Sequence, residues 1–223
     1  MNAVSISPTL KRYDLARHFG MSNSQRFSYS TLQRIERLGW KFNLLMTPQL
    51  HYQPSKIDSI DSPEVVIEGG RVFRSFKLSK VLADCEEIIC FAATIGGGVE
   101  KEIARLSHRN RLSDAYILDS LGSVAVEKVV EKFHQNMMIR YESKGKGLTL
   151  RFSPGYCDWP VTEQKNLFKL FNPDVIGIEL LDSCLMVPRK SISGVFGIYN
   201  DTQKAPYNPC QDCSKKNCNT RRL

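Results

Sequence analysis

No apolar run in this chain approaches the roughly 18 residues that a membrane-crossing helix needs. Met1 to Tyr13 also lacks a continuous apolar segment, so a secretory leader is not expected and the cytoplasm is the expected location. Neither an internal repeat nor a low-complexity block is present, which sets aside solenoids and linker-like chains. The glycine stretch Thr94-Ile95-Gly96-Gly97-Gly98 is not followed by the Lys-Ser/Thr of a Walker A loop, and it falls short of the dinucleotide fingerprint. A strand, a glycine loop and a helix start do suit an anion. Close packing of the glycines is the preferred reading.

What is present is an ordinary globular composition. Of 223 residues, 42% are hydrophobic and 24% charged, enough for a real core in one or two domains. The net charge is +8. The basic residues are scattered, and the clusters Arg109/Arg111, Lys144/Lys146 and Arg221/Arg222 are short. Aromatic interleaving is poor, so nucleic-acid binding ranks lowest among the function classes. A basic surface still suits an anionic protein partner or cofactor.

Seven cysteines occur: Cys85, Cys90, Cys157, Cys184, Cys210, Cys213 and Cys218. An odd count without a leader argues against a disulfide framework and for thiol or metal chemistry. The tail spacing Cys210-x-x-Cys213-x-x-x-x-Cys218 resembles a metal motif, but three sulfurs leave a fourth ligand open. Cys184, Cys157 or an outside ligand could supply it. Zinc and an iron-sulfur cluster are both candidates.

The apolar pattern outlines the elements. Leu32, Ile35 and Leu38 follow a helical period, with Ser30 as the expected cap. Pro48 and Pro54 mark loop. Val65–Ile67 and Val72–Phe76 read as a hairpin around Gly69-Gly70, and Ser79 opens a short helix. Ile88–Ala93 is a continuous apolar run, the pattern of a strand buried on both faces. A long helix is expected over 113–138, with Leu118, Leu121, Gly122, Ala125, Val129 and Phe133 as its inner stripe. Its small Gly122 and Ala125 would admit another backbone. Glu127 and Glu131 lie one turn apart beside the stripe, as a ligand-facing pair or a solvated face. Leu148–Arg151 reads as a strand, and Thr162 as the cap of a helix reaching Phe171. Ile176–Leu181 and Ser193–Tyr199 are further strands. Residues 1–200 form the folded unit and 201–223 a polar, cysteine-rich tail. The fold class is α+β: a mostly antiparallel central sheet flanked by helices, with one long central helix.

The stretch Arg151-Phe152-Ser153-Pro154-Gly155-Tyr156-Cys157-Asp158-Trp159-Pro160 carries the most chemistry. A strand delivers an arginine and stops at Pro-Gly. Proline is rigid and lacks an N–H, while glycine lets a ligand approach the backbone. Arg151 and Tyr156 suit a small ligand with a carboxylate and a flat ring; a tight turn with a structural arginine is the alternative.

Several separated motifs now fall in order: Ala-x-Thr-x-Gly after the buried strand, Glu127 on the long helix, Arg-x-x-Pro-Gly-Tyr, and Ser-x-x-Met-x-Pro-x-x-Ser-x-Ser-Gly. Over Glu87–Asn200 the chain resembles the activation domain of cobalamin-dependent methionine synthase, in stand-alone form. The resemblance implies binding of S-adenosylmethionine and support for reductive remethylation of an inactive cobalamin. It implies ligand contacts at Glu127, Arg151, Ser153 and Tyr156, with Pro154 and Gly155 shaping the loop. No Asp-x-His-x-x-Gly segment is present, so the cobalamin would arrive on a partner, a methionine synthase or other corrinoid protein. An electron donor such as flavodoxin or ferredoxin is implied as well. The cysteine-rich tail departs from the fused family members and leaves an alternative: a metal- or iron-sulfur-binding redox module using Cys210, Cys213 and Cys218.

Overall fold

The structure is a computed structural model that describes residues 1–21, 26–200 and 207–213. Its centre is the run expected from sequence to be buried on both faces. β5 (Cys85–Thr94) pairs antiparallel with β2 (Gln49–Asp61) on one side and with β9 (Ser191–Tyr199) on the other. β2 continues to β3 (Glu64–Ile67) and β4 (Arg71–Arg74), and β9 to β6 (Gly147–Leu148). β1 (Asn2–Val4) also pairs with β2, which completes a seven-stranded sheet. All these pairings are antiparallel, and the fold is α+β.

Alternation along β5 divides the core. Ile89, Phe91 and Ala93 face one hydrophobic cluster, while Ile88, Cys90 and Ala92 face the other. The first cluster is closed by helices: α1 (Arg12–His18), α2 (Tyr29–Leu45), α4 (Gly98–His108) and α5 (Leu112–Glu142). The second is closed by α3 (Phe76–Leu82), α6 (Gln164–Phe168), which follows a 3-10 turn at Val161–Glu163, and α7 (Pro173–Ile176). A two-stranded ribbon, β7 (Glu179–Leu180) with β8 (Met186–Val187), precedes β9.

α5 has 31 residues, longer at both ends than the sequence pattern indicated. It contains no proline, and at 1.5 Å per residue it runs on the order of 45 Å. Asp114 in its first turn suits the helix dipole and is ringed by Arg111, Arg34 and Arg37, which tie α2 to α5. At Gly122 the neighbour is not a backbone. The aliphatic stem of Lys190 lies over it, and Lys190 Nζ reaches Asp119 at 2.8 Å and Ser123 Oγ at 2.9 Å. A long amphipathic side chain fills the gap that the small residues leave.

Several local expectations are corrected. Pro54 lies inside β2, opposite Ile89, rather than in a loop. On the far side of β2, β1 covers Leu50–Tyr52 and the pairing with β3 begins only at Ile57, so Pro54 falls in an uncovered window where a missing N–H costs no ladder bond. α2 is capped by Ser28, whose Oγ accepts from Thr31 N, and not by Ser30. α3 starts after Ser75, four residues before Ser79. Thr162 makes no capping bond, and its helix is split into the 3-10 turn and the short α6. Ile176 closes α7, whose cap is Asn172, leaving only Glu179–Leu180 as strand.

Candidate functional site

The Arg151–Pro160 loop is built as a rigid arch. Phe152 exchanges two 2.8 Å backbone hydrogen bonds with Val195 of β9, which clamps the loop to the sheet. Any side chain at residue 194 would strike Ser153 and Phe152, so Gly194 permits this close approach. Gly155, at φ 92°, turns the chain back; its N–H donates to Trp159 O at 2.8 Å, and Trp159 N–H donates to Tyr156 O at 3.0 Å. Phe152 stacks on the buried Trp159, which meets Phe73 edge-on.

Asp158 moors the far end. Its carboxylate accepts from Ser75 Oγ at 2.8 Å and from the N–H groups of Phe76 at 2.7 Å and Lys77 at 3.2 Å. These are N–H groups that the first turn of α3 leaves unsatisfied. One carboxylate therefore caps a helix and fixes a loop.

The arch borders a cavity of about 790 Å³. Glu127, Arg151, Ser153, Pro154, Gly155 and Tyr156 all line it, so the six residues named from sequence surround one space. Arg151, with its side chain only 17% exposed, stands 3.7 Å from the Glu127 carboxylate. Glu131 is elsewhere engaged, accepting from Lys128 Nζ at 2.8 Å. The glycine loop before α4 is a packing device: a side chain at Gly96 would strike Thr47, and one at Gly98 would strike Leu45 O.

Ser193 was not singled out as a contact by sequence reasoning. It is 3% exposed, lines the same cavity, and its Oγ has no hydrogen-bond partner among the described residues. A buried hydroxyl without a partner costs free energy, so a polar ligand atom is a natural complement. The available signal was a serine inside an apolar strand pattern. Asp158 and Ser75 were missed too, although Ser75 before Phe76-x-Leu78 has the form of a helix cap.

The cavity thus offers a forked cation, a carboxylate, exposed loop backbone, an aromatic ring and an unsatisfied hydroxyl. That set suits a zwitterionic ligand of nucleoside size, within the usual range of about 300–1,000 Å³ for ligand cavities.

Residues 78–221 match the family described as the vitamin B12 dependent methionine synthase activation domain. The chain belongs to that family. Its fold is similar to the crystal structure of the MetH reactivation domain bound to AdoHcy, with a TM-score of 0.60 and 17% identity over 92% of this chain and 80% of that one. No curated protein matches the chain. No helix among the described residues is long and apolar enough to cross a membrane.

The cysteines divide. Cys210 and Cys213 line the cavity together with Cys157. Cys184 is buried in the turn before β8, its Sγ 4.0 Å from Asp182 O, and does not line the cavity. Cys218 lies outside the described residues. Among the described residues no set of three or more His, Cys, Asp or Glu side chains is placed to hold a metal ion.

Proposed function

We propose that this chain binds S-adenosylmethionine in the cavity beside the arch and holds it for reductive remethylation, and so reactivation, of a partner's cobalamin. The observation that carries the reading is the half-buried Arg151, paired with Glu127 at 3.7 Å on the wall of a nucleoside-sized cavity, in a chain of this family. The related reactivation domain, solved with AdoHcy, supports it.

Each residue has a task set by its chemistry. The planar Arg151 guanidinium grips the ligand carboxylate in a forked pair. On binding, Glu127 exchanges part of its contact with Arg151 for the ligand's positive groups. Backbone groups of Ser153–Tyr156 read the adenine edge, and the Tyr156 ring packs on the ligand. Ser193 donates its hydroxyl to a ligand acceptor. The chemistry supplied with the ligand is transfer of a sulfonium methyl to a reduced cobalt on the partner. This chain contributes proximity and orientation. The corrinoid comes from a methionine synthase or similar protein, and the electron from a flavodoxin- or ferredoxin-type donor.

The test is equilibrium dialysis of the full chain with labelled S-adenosylmethionine, competed by methylthioadenosine, which lacks the amino-acid end. Saturable binding, with the truncated competitor much weaker, supports the reading. Equal competition removes Arg151 and Glu127 from recognition.

A further inference from the structure

Three thiols stand at the same cavity, and the function proposed above uses none of them. Cys157 comes from the arch, and Cys210 and Cys213 from a tail turn widely separated from it in sequence. None of the three is in a disulfide. Cys157 sits at φ 52°, in the left-handed region that few non-glycine residues adopt.

Hydrogen bonds and an ion pair hold the turn there. Tyr207 donates its hydroxyl to Asp212 at 2.8 Å and accepts from Lys77 Nζ at 3.1 Å, while Lys77 also pairs with Asp212 at 3.6 Å. Asn208 Oδ1 accepts from Cys210 N–H at 3.0 Å. The backbone N–H of the same Lys77 donates to Asp158, next to Cys157. The first turn of α3 therefore ties both thiol-bearing segments to one place. Although Cys157 is exposed as a residue, its thiol is pushed up from the usual range, first by lost hydration and then by Cys213 and Cys210.

We propose that Cys157 and a tail thiol, Cys210 or Cys213, form a reversible oxidation site for small disulfides, closing a bond between the tail and the arch. A tail thiolate attacks one sulfur of a small disulfide, forming a mixed disulfide and releasing one small thiol. Cys157 then loses its proton and attacks the protein-side sulfur, releasing the second small thiol. Two protein thiols give up two electrons to the small disulfide, and their protons leave with the two released thiols. The new bond joins the tail to the loop that carries Arg151, Ser153 and Tyr156, so the mouth of the cavity responds to the thiol redox state.

The test treats the anaerobically purified, reduced full chain with glutathione disulfide and maps the products by non-reducing peptide mass spectrometry. The expected result is a peptide joining Cys157 to Cys210 or Cys213. It should be lost on adding dithiothreitol and absent in Cys157→Ser. Circular dichroism checks that this variant keeps the wild-type fold. A bond confined to the tail, glutathione adducts without a crosslink, or co-purifying zinc or iron that shields the thiols from alkylation would overturn the proposal. The mapping needs no S-adenosylmethionine, so its failure is separate from failure of the proposed function.

Discussion

Arg151 is only partly legible from sequence: the rigid Pro-Gly turn after it is local, but its ligand role came from the family resemblance, and the strand expected over Leu148–Arg151 ends at Leu148. Replacing it with alanine removes a charge-assisted contact to a partly buried carboxylate. The expected loss is about 1.5–3 kcal/mol, about ten- to a hundred-fold in S-adenosylmethionine affinity. Glu127→Gln should weaken binding while leaving α5 intact, since the two residues have similar helix propensity; a titration beside a circular dichroism spectrum checks both. Ser193 shows where sequence reading stops. Its identity is visible, but that its hydroxyl lacks a partner is a property of the packed sheet. Ser193→Ala should leave thermal stability unchanged or raised, because an unsatisfied buried group is removed. It should weaken ligand binding by about 0.5–1.5 kcal/mol.

At the scale of elements, the sequence was most readable where one period held without interruption. β5 and α5 are such segments, and their burial followed from the pattern alone. β2 was hidden by Pro54, because the window that tolerates a proline is defined by which neighbouring strands stop short. Asp158 was hidden because its partners, the first N–H groups of α3, lie more than eighty residues earlier in the chain. Asp158→Ala should cost about 1–2 kcal/mol of stability, the usual loss for a helix cap, and should also loosen the arch. Chemical denaturation paired with amide exchange at Tyr156 and Trp159 would report both. The helical layer has its own electrostatic tie. Glu102 of α4 meets Arg105 and, across to α2, Lys41 at 2.7 Å. Arg105 first, and Lys41 with it, hold the Glu102 carboxyl down to about 2 against an ordinary 4.5. A lowered acid stabilises the fold above its unfolded-state value and loses that contribution as pH falls toward 2. Glu102→Gln should therefore be less stable than wild type near neutrality, and the gap should shrink in acid; denaturation midpoints across pH check this.

The whole molecule is a sheet with two differently covered faces. Helices α1, α2, α4 and α5 seal one, and the short helices α3, α6 and α7, the arch and Tyr207 seal the other. The cavity is lined by Glu127 of α5, by the arch and by residues of α3 and α6, so a ligand bound there would touch elements of both layers. Occupancy should therefore stabilise the molecule as a unit, raising its melting temperature with ligand concentration. The central claim is that this cavity binds S-adenosylmethionine through Arg151, and the most direct measurement is isothermal titration of the wild-type chain and of Arg151→Ala. The account predicts saturable one-to-one binding to the wild type, weakened about ten- to a hundred-fold in a folded variant. No binding to the wild type, or equal affinities for the two proteins, would contradict it.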